Sequence, residues 1–300
     1  MISSKPLVSI GVPTYNRPVE LRRTLECLVK QTYSNIEIVI SDNCSTSADV
    51  EEVVNEFLSD ERIKYFKQSI NKGAPYNFTF VLDKSTGEYF KFLADDDWID
   101  YNYVERCMAF LLENPAYSIA YGIGNLCSLN GEFIKLDPKM DIEFDDADKR
   151  VKYYYENVLN NSPFYGVFKR NQVLQYFSFE NLIAIDWVVI ARFVFLNKCK
   201  LISETNSFIS TGGISSNIET MCVNFKMPLF TRVFPYLQIS INVFKDILWV
   251  SPVYRTYNFF KRFALAKACF FITYKKHNVG KQLWPGTKKL IKVKLGLIKM

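Results

Sequence analysis

The chain has 300 residues, 49% of them hydrophobic, which suits one large α/β domain, or one domain plus an extension, and excludes wholesale disorder. The net charge of +6 is unevenly spread: residues 251–300 carry twelve Lys and Arg and no acid, leaving 25 cations against 31 acids in residues 1–250, a balance of −6. The single histidine, His277, excludes Ser-His and Cys-His nucleophile pairs and His-ligated zinc, so acid–base chemistry falls to carboxylates, Tyr, Lys or Cys. Seven scattered cysteines (27, 44, 107, 127, 199, 222 and 269) form no C-x-x-C pair and read as reduced, mostly buried thiols of a cytosolic protein. Residues 1–6 lead straight into a strand, so no secretory leader is expected, and with no run of 18 uncharged apolar residues no membrane span is expected.

The first hundred residues alternate strand and helix. Residues 7–12 (LVSIGV) are strand-like and end at Pro13; Asn16 and Pro18 open a helix with Leu21, Leu25, Leu28 and Val29 on one face. Residues 36–40 (IEIVI) form a second strand ending at Ser41-Asp42-Asn43. Thr46 to Asp49 has the spacing of a capping box before the helix marked by Val50, Val53, Val54, Phe57 and Leu58. A short third strand is expected over 62–66, a helix over 75–82 and a fourth strand over 89–93. Strands joined by helices imply βαβ units and a mainly parallel sheet, with ligands beyond the carboxyl ends of the strands. Pro13-Thr14-Tyr15, Asp42 and the triplet Asp95-Asp96-Asp97 all fall at those ends and are expected to line one crevice.

The triplet follows an apolar strand and precedes Trp98. Three adjacent anions repel one another unless a cation or hydrogen-bond donor holds them. Oxygen-only ligands suit Mg²⁺ or Mn²⁺, which take one or two carboxylates and complete their shell with water and substrate phosphate. A solvated acidic turn capping the helix near Tyr101 is the other reading. None of the twelve glycines builds a G-x-G-x-x-G or a phosphate-binding loop ending in Lys-Ser/Thr. A diphosphate bound here therefore needs a metal to neutralise it.

Residues 8–17 (VSIGVPTYNR) and 25–45 (LECLVKQTYSNIEIVISDNCS), followed in order by Asn71-Lys72-Gly73, Asn77, Gly87-Glu88-Tyr89 and Leu93 to Trp98, resemble family 2 glycosyltransferases of the GT-A fold. The resemblance is strong over 5–112 and weaker to about 216. It implies a Rossmann-like, mainly parallel sheet flanked by helices, with a basic helical C-terminal extension. The expected organisation is 1–112 for the nucleotide-sugar half, 113–220 for the acceptor half and 221–300 for the extension. Pro13, Thr14, Tyr15 and Asn16 resemble the loop against the nucleobase and ribose. Asp42 matches the aspartate that bonds the base, and Asn71 falls among the donor-binding positions. Asp97 best matches the metal position, with Asp96 near the ribose and Asp95 beside them. Ala94 stands where the family often has a first aspartate, which leaves the division of roles within the triplet open. For Asp42 a turn aspartate bonding its own backbone is the competing account.

In the second half, 164–170 is strand-like and 182–193 (LIAIDWVVIARF) is a very apolar helix with Asp186 in its first turn. Carboxylates in such settings are paired or functional; pairing with Arg192 or the helix N-terminus is the structural account. The segment is similar to the one carrying the family's general base. The run 141–148, with five acids, reads as a mobile solvated loop. Thr211 to Ser216 reads as a hinged flap or a plain turn, and Tyr153-Tyr154-Tyr155 as core and surface of one helix.

The resemblance implies inverting transfer from a nucleotide diphosphate sugar, UDP-sugar favoured, to a saccharide hydroxyl, with Asp186 as base and Mn²⁺ or Mg²⁺ on Asp97. A sugar-1-phosphate nucleotidyltransferase and a non-catalytic scaffold are the alternatives; the first would need a Gly-rich basic loop where Gly11-Val12-Pro13-Thr14-Tyr15 stands. The tail 251–300 mixes cations with Phe, Leu, Ile, Val and Trp284, as suits an anionic membrane surface and a lipid-linked acceptor. A basic appendage packed on the acidic body is the competing reading. Nucleic acid is not expected, since no binding module accompanies the charge.

Overall fold

The computed structural model describes residues 5–177, 182–212 and 218–297. Its chain folds into two compact units, one of residues 1–143, 159–179 and 197–213, the other of 144–158, 180–196 and 214–300. This division departs from the expected boundaries at 112 and 220, because two helices from the middle of the sequence share the core of the C-terminal ones.

In the first unit β1 (Val8–Thr14), α1 (Pro18–Val29), β2 (Ile36–Asp42), α2 (Asp49–Phe57), β3 (Ile63–Lys67), α3 (Ala74–Lys84) and β4 (Tyr89–Phe92) alternate as the sequence predicts. Then come β5 (Trp98–Ile99), α4 (Tyr103–Glu113), β6 (Tyr117–Cys127) and β7 (Phe133–Leu136). One sheet runs in the order β3-β2-β1-β4, continuing through β8 (Val167–Lys169), β6, β9 (Lys198–Ser210) and β5, with β7 paired to β6. The first four strands are mutually parallel. β8 is antiparallel to both its neighbours, and β6 runs parallel to β9. Every residue of β1 and β2 is buried, as expected for strands covered on both faces. Helix α1 starts at Pro18, whose fixed φ suits the first turn, and buries Leu21, Leu25 and Leu28. Gly11 is required in β1: a Cβ there would lie 2.7 Å from Val81 Cγ2 of α3.

Two buried ionic groups in this sheet are satisfied differently. Glu37 of β2 accepts from Lys64 Nζ and Ser9 Oγ, both at 2.5 Å. Burial raises its pKa, but Lys64, Ser9 and Thr86 outweigh that and hold it at about 2. Lys91 of β4 is fully buried, donates to the Tyr165 carbonyl and lies 4.4 Å from the centre of the Tyr103 ring. Burial lowers its pKa to about 8.

Several local expectations change in the fold. The capping box at Thr46 does not form: α2 begins after Ala48 with no side-chain cap, and Thr46 donates instead to Asn16 Oδ1. The strand expected over 164–170 shrinks to β8, because Pro163 lies in a 3₁₀ turn (Ser162–Tyr165) and Arg170 opens α6 (Arg170–Tyr176). The acidic run is anchored rather than loose. Ile142 pairs with Cys199, while Asp141 and Glu143 lie 3.6 and 3.2 Å from Lys200 Nζ. In the other unit, Asp146 caps α5 (Ala147–Asn157) by accepting from Lys149 N at 2.7 Å. The candidate flap lies largely outside the described residues. Six of the seven cysteines are buried and Cys44 is half-buried; all are free thiols.

The second unit is helical: α5, α7 (Ile185–Leu196), α8 (Ile218–Asn224), α9 (Leu229–Val233), α10 (Pro235–Lys245), α11 (Phe259–Lys276) and α12 (Val279–Lys294). Tyr154 and Tyr155 of α5 are core and Tyr153 is half-buried. Arg150 of α5 donates to the carbonyls of Val194 and Phe195, closing the end of α7. Arg192 of α7 meets Asp246 at 2.6 Å, with both side chains buried. Lys276 of α11 donates to the carbonyls of Tyr155 and Val158. Leu265, Ala266, Cys269 and Thr273 of α11 are buried. One face of the first basic helix is thus packed into the core of this unit. Among the described residues, no helix is long and apolar enough to cross a membrane.

Candidate active site

Strands β1 and β4 are parallel neighbours in the register Gly11↔Phe92, so the chain leaves both at the same edge. That brings the loop after β1 against the triplet. Thr14 Oγ1 donates to Asp95 Oδ2 at 2.8 Å, and Tyr15 N to the same oxygen at 3.4 Å. Arg17 Nη1 lies 2.5 Å from Asp96 Oδ2 and 3.3 Å from Asp95 Oδ1. Asp97 Oδ1 accepts from Ser210 N, at the end of β9, at 2.8 Å. Below the carboxylates, Thr24 Oγ1 donates to the carbonyls of Asp95 (3.0 Å) and Asp97 (2.7 Å). Arg23 donates to the Asp96 carbonyl and stacks 3.7 Å over the Trp98 ring.

The triplet is buried and crowded. Burial and the neighbouring Asp96 raise the Asp95 carboxyl to about 7, with Arg17 and Thr14 opposing. Asp97 is pushed well above the ordinary range by burial and by Asp96 and Asp95; Ser210 N and Lys91 offset this only in part. Asp96 is raised by burial against the pull of Arg17.

This charge state bears on a metal. Among the described residues no group of three His, Cys, Asp or Glu converges to hold an ion unaided. Mg²⁺ and Mn²⁺ need fewer protein ligands than that when a substrate phosphate completes the shell. Arg17 pairs with Asp95 and Asp96, and Asp97 keeps a buried carboxylate destabilised by its neighbours. An oxygen-only donor set whose buried carboxyls resist ionisation until a cation is beside them fits a hard dication.

The remaining donor-side residues flank this cluster. Pro13 and Thr14 stand level with Ser41 and Asp42 of β2. Asp42 Oδ1 accepts from Ser45 N (2.8 Å) and Ser45 Oγ (2.6 Å), and Oδ2 accepts from Tyr65 OH at 3.2 Å. Its turn-closing bond is thus real, whatever else it binds. Asn16, at φ 55°, donates from its N–H to Ser45 Oγ and ties Thr46 with its side chain. Asn71 Oδ1 accepts from Asn43 Nδ2 and Gly73 N at 2.9 and 2.8 Å. Asn77, buried under the loop, donates to the carbonyls of Thr14 and Ser41. Tyr15 stays 37% exposed, leaving a ring open to a ligand.

Arg17, Thr24 and Ser210 were not among the expected site residues. Arg17 is the cation closing the PTYNR run, a signal that was available. The reach of Ser210 N to Asp97 depends on β9 pairing, which no local pattern reveals. Asp186 lies in the second unit. It occupies the first turn of α7 after Ala184, whose φ of 56° starts the helix, and it is half-buried. Arg192, its candidate ion partner, is engaged with Asp246.

A mainly parallel α/β sheet with paired acidic and Pro-Thr-Tyr loops at the carboxyl ends of its strands defines a GT-A nucleotide-sugar-binding fold. The chain belongs to glycosyl transferase family 2, whose family model matches residues 9–177, and it is a glycosyltransferase. It is 28% identical, over 64% of this chain and 68% of the relative, to an Escherichia coli K12 protein provisionally named as the colanic acid biosynthesis glycosyl transferase WcaA. It is also 28% identical, over 55% of this chain and 52% of the relative, to a Campylobacter jejuni GalNAc(5)-diNAcBac-PP-undecaprenol beta-1,3-glucosyltransferase. The crystal structure of Staphylococcus aureus TarS 1-349 in complex with UDP-GlcNAc shares its fold, with a TM-score of 0.65 at 17% identity over 89% of this chain and 72% of that one.

Proposed function

We propose that the enzyme transfers a sugar, with inversion, from a UDP-sugar to a hydroxyl of a lipid-linked saccharide during assembly of a bacterial surface polysaccharide. The observation that carries this is the Asp95–Asp97 cluster held against the Thr14–Arg17 loop at the carboxyl edge of the sheet. The UDP-GlcNAc bound to TarS supports the donor class, and the undecaprenol-linked substrate in the Campylobacter relative's name supports the acceptor class.

In this reading Pro13, Thr14, Tyr15, Asn16, Asp42 and Asn71 hold the nucleoside, with Asp95 and Asp96 beside the ribose and diphosphate. Mn²⁺ or Mg²⁺ held by Asp97 supplies, when bound, neutralisation of the departing diphosphate. Asp186 takes the proton from the acceptor hydroxyl as that oxygen attacks the anomeric carbon from the face opposite the diphosphate. No covalent intermediate forms. The enzyme works in the cytoplasm at the inner face of the membrane, with residues 251–300 toward anionic lipid. In support, Phe260 is 81% exposed on α11 and Trp284 is 69% exposed on α12.

The test is a panel of nucleotide sugars with and without Mn²⁺, followed by thermal unfolding and by transfer to a polyprenyl-diphosphate saccharide. Stabilisation by a UDP-sugar and inverted product are expected. Stabilisation by nucleoside triphosphates with sugar-1-phosphate turnover would instead favour a nucleotidyltransferase.

A further inference from the structure

Helices α10 and α11 and the turn between them leave an apolar groove of about 370 Å³, lined by Ile241, Phe244, Trp249, Phe263, Phe270 and Phe271. That volume falls within the range of small-molecule sites. The rings form one continuous set: Phe244 lies 5.7 Å from Trp249, 6.0 Å from Phe263 and 6.3 Å from Phe270. The groove is open to solvent, with Trp249 57%, Phe263 42% and Phe271 46% exposed. Val250, Phe259 and Phe260, 49%, 51% and 81% exposed, extend the apolar surface beside it. A contiguous aromatic surface of this kind is uncommon unless something covers it.

Two cations complete the groove. Lys245 and Lys267 line it, are solvent-exposed, and make no ion pair among the described residues. The acid nearest in sequence, Asp246, is turned inward to Arg192, and no acid occurs from 247 to 300. The groove therefore combines an apolar floor with an unopposed positive rim. A free saccharide would leave most of its hydroxyls without partners over the apolar floor. A hydrocarbon chain ending in a phosphate matches both parts, and tryptophan, like the half-exposed Trp249, is the side chain favoured at a water–hydrocarbon boundary.

We infer that the groove between α10 and α11 receives an acyl chain of an anionic bilayer phospholipid, with Lys245 and Lys267 against its phosphate. This rests on the membrane reading above and moves its point of insertion from the tail end to α10, the turn and α11.

The test uses the full chain with phosphatidylcholine vesicles, alone or mixed with phosphatidylglycerol, whose acyl chains are brominated to quench tryptophan. Flotation with the anionic vesicles is expected, with quenching that survives in Trp284→Phe and disappears in Trp249→Phe. Lys245→Gln/Lys267→Gln is expected to weaken vesicle binding by roughly 10–30-fold at low salt. Flotation with quenching lost in Trp284→Phe but kept in Trp249→Phe would overturn the groove assignment and leave the membrane reading standing. Absence of flotation by any form would overturn both. Binding only when a polyprenyl phosphate is added would reassign the groove to the acceptor's lipid. A dimer that Trp249→Ser makes monomeric, seen by light scattering, would reassign it to a second copy of the chain.

Discussion

Arg17 and Asp96 meet at 2.5 Å, and the same guanidinium nitrogen reaches Asp95 at 3.3 Å, so one residue of the first loop binds two of the three triplet carboxylates. The loop after β1 is thereby tied to the strand end that carries the triplet. Asp97 is left to Ser210 N and the distant charge of Lys91.

Arg17→Met removes the only positive group bonded to Asp95 and Asp96 among the described residues. It should lower stability by about 1–3 kcal/mol, the usual penalty for orphaning buried charged partners. Mn²⁺ should restore part of the loss. Thermal unfolding with and without Mn²⁺ checks this, and an unchanged melting temperature would show that the pair is energetically idle.

Asp97→Asn keeps an oxygen for Ser210 N but loses the charge. We expect intact folding, loss of Mn²⁺-dependent stabilisation by donor, and transfer reduced by at least ~10³-fold, the worth of several kcal/mol of charge stabilisation. Full wild-type activity in excess EDTA would rule out the metal.

Asp186→Asn should leave donor affinity nearly unchanged and slow turnover by roughly 10²–10⁴-fold. Donor titration and single-turnover transfer separate the two effects. If the variant unfolds, or turns over like wild type, the carboxylate is structural.

His277 stacks between Trp187 and Tyr236, with ring centres 5.7 and 4.7 Å away. Burial, and then Lys276, lower its pKa from 6.5 to about 4. The folded state therefore resists protonation. Stability contributed by neutral His277 is present above pH 6.5 and is lost as pH falls toward 4. Thermal unfolding across that window should show a decline that His277→Phe flattens. An identical slope in both proteins would assign the acid sensitivity to other groups.

The sequence by itself determined the alternating half of the fold. Buried parallel strands need continuous apolar runs, so 7–12 and 36–40 announced β1 (Val8–Thr14) and β2 (Ile36–Asp42), and Leu21, Leu25 and Leu28 fixed the inner face of α1. The ends of β1, β2 and β4 carry Thr14, Asp42 and Asp95–Asp97, so their meeting at one edge of the sheet was legible in the sequence. Only the tertiary structure decided what those residues touch. Ser210 is 113 positions from Asp97, and Thr46 left its capping role for Asn16 across a loop. The basic tail shows the same limit. Its charge was plain in the sequence, but Leu265, Ala266 and Cys269 are core only because α11 packs with α5 and α10. Periodicity records which face of an element is apolar; which element meets that face is set by long-range packing, and no local pattern encodes it.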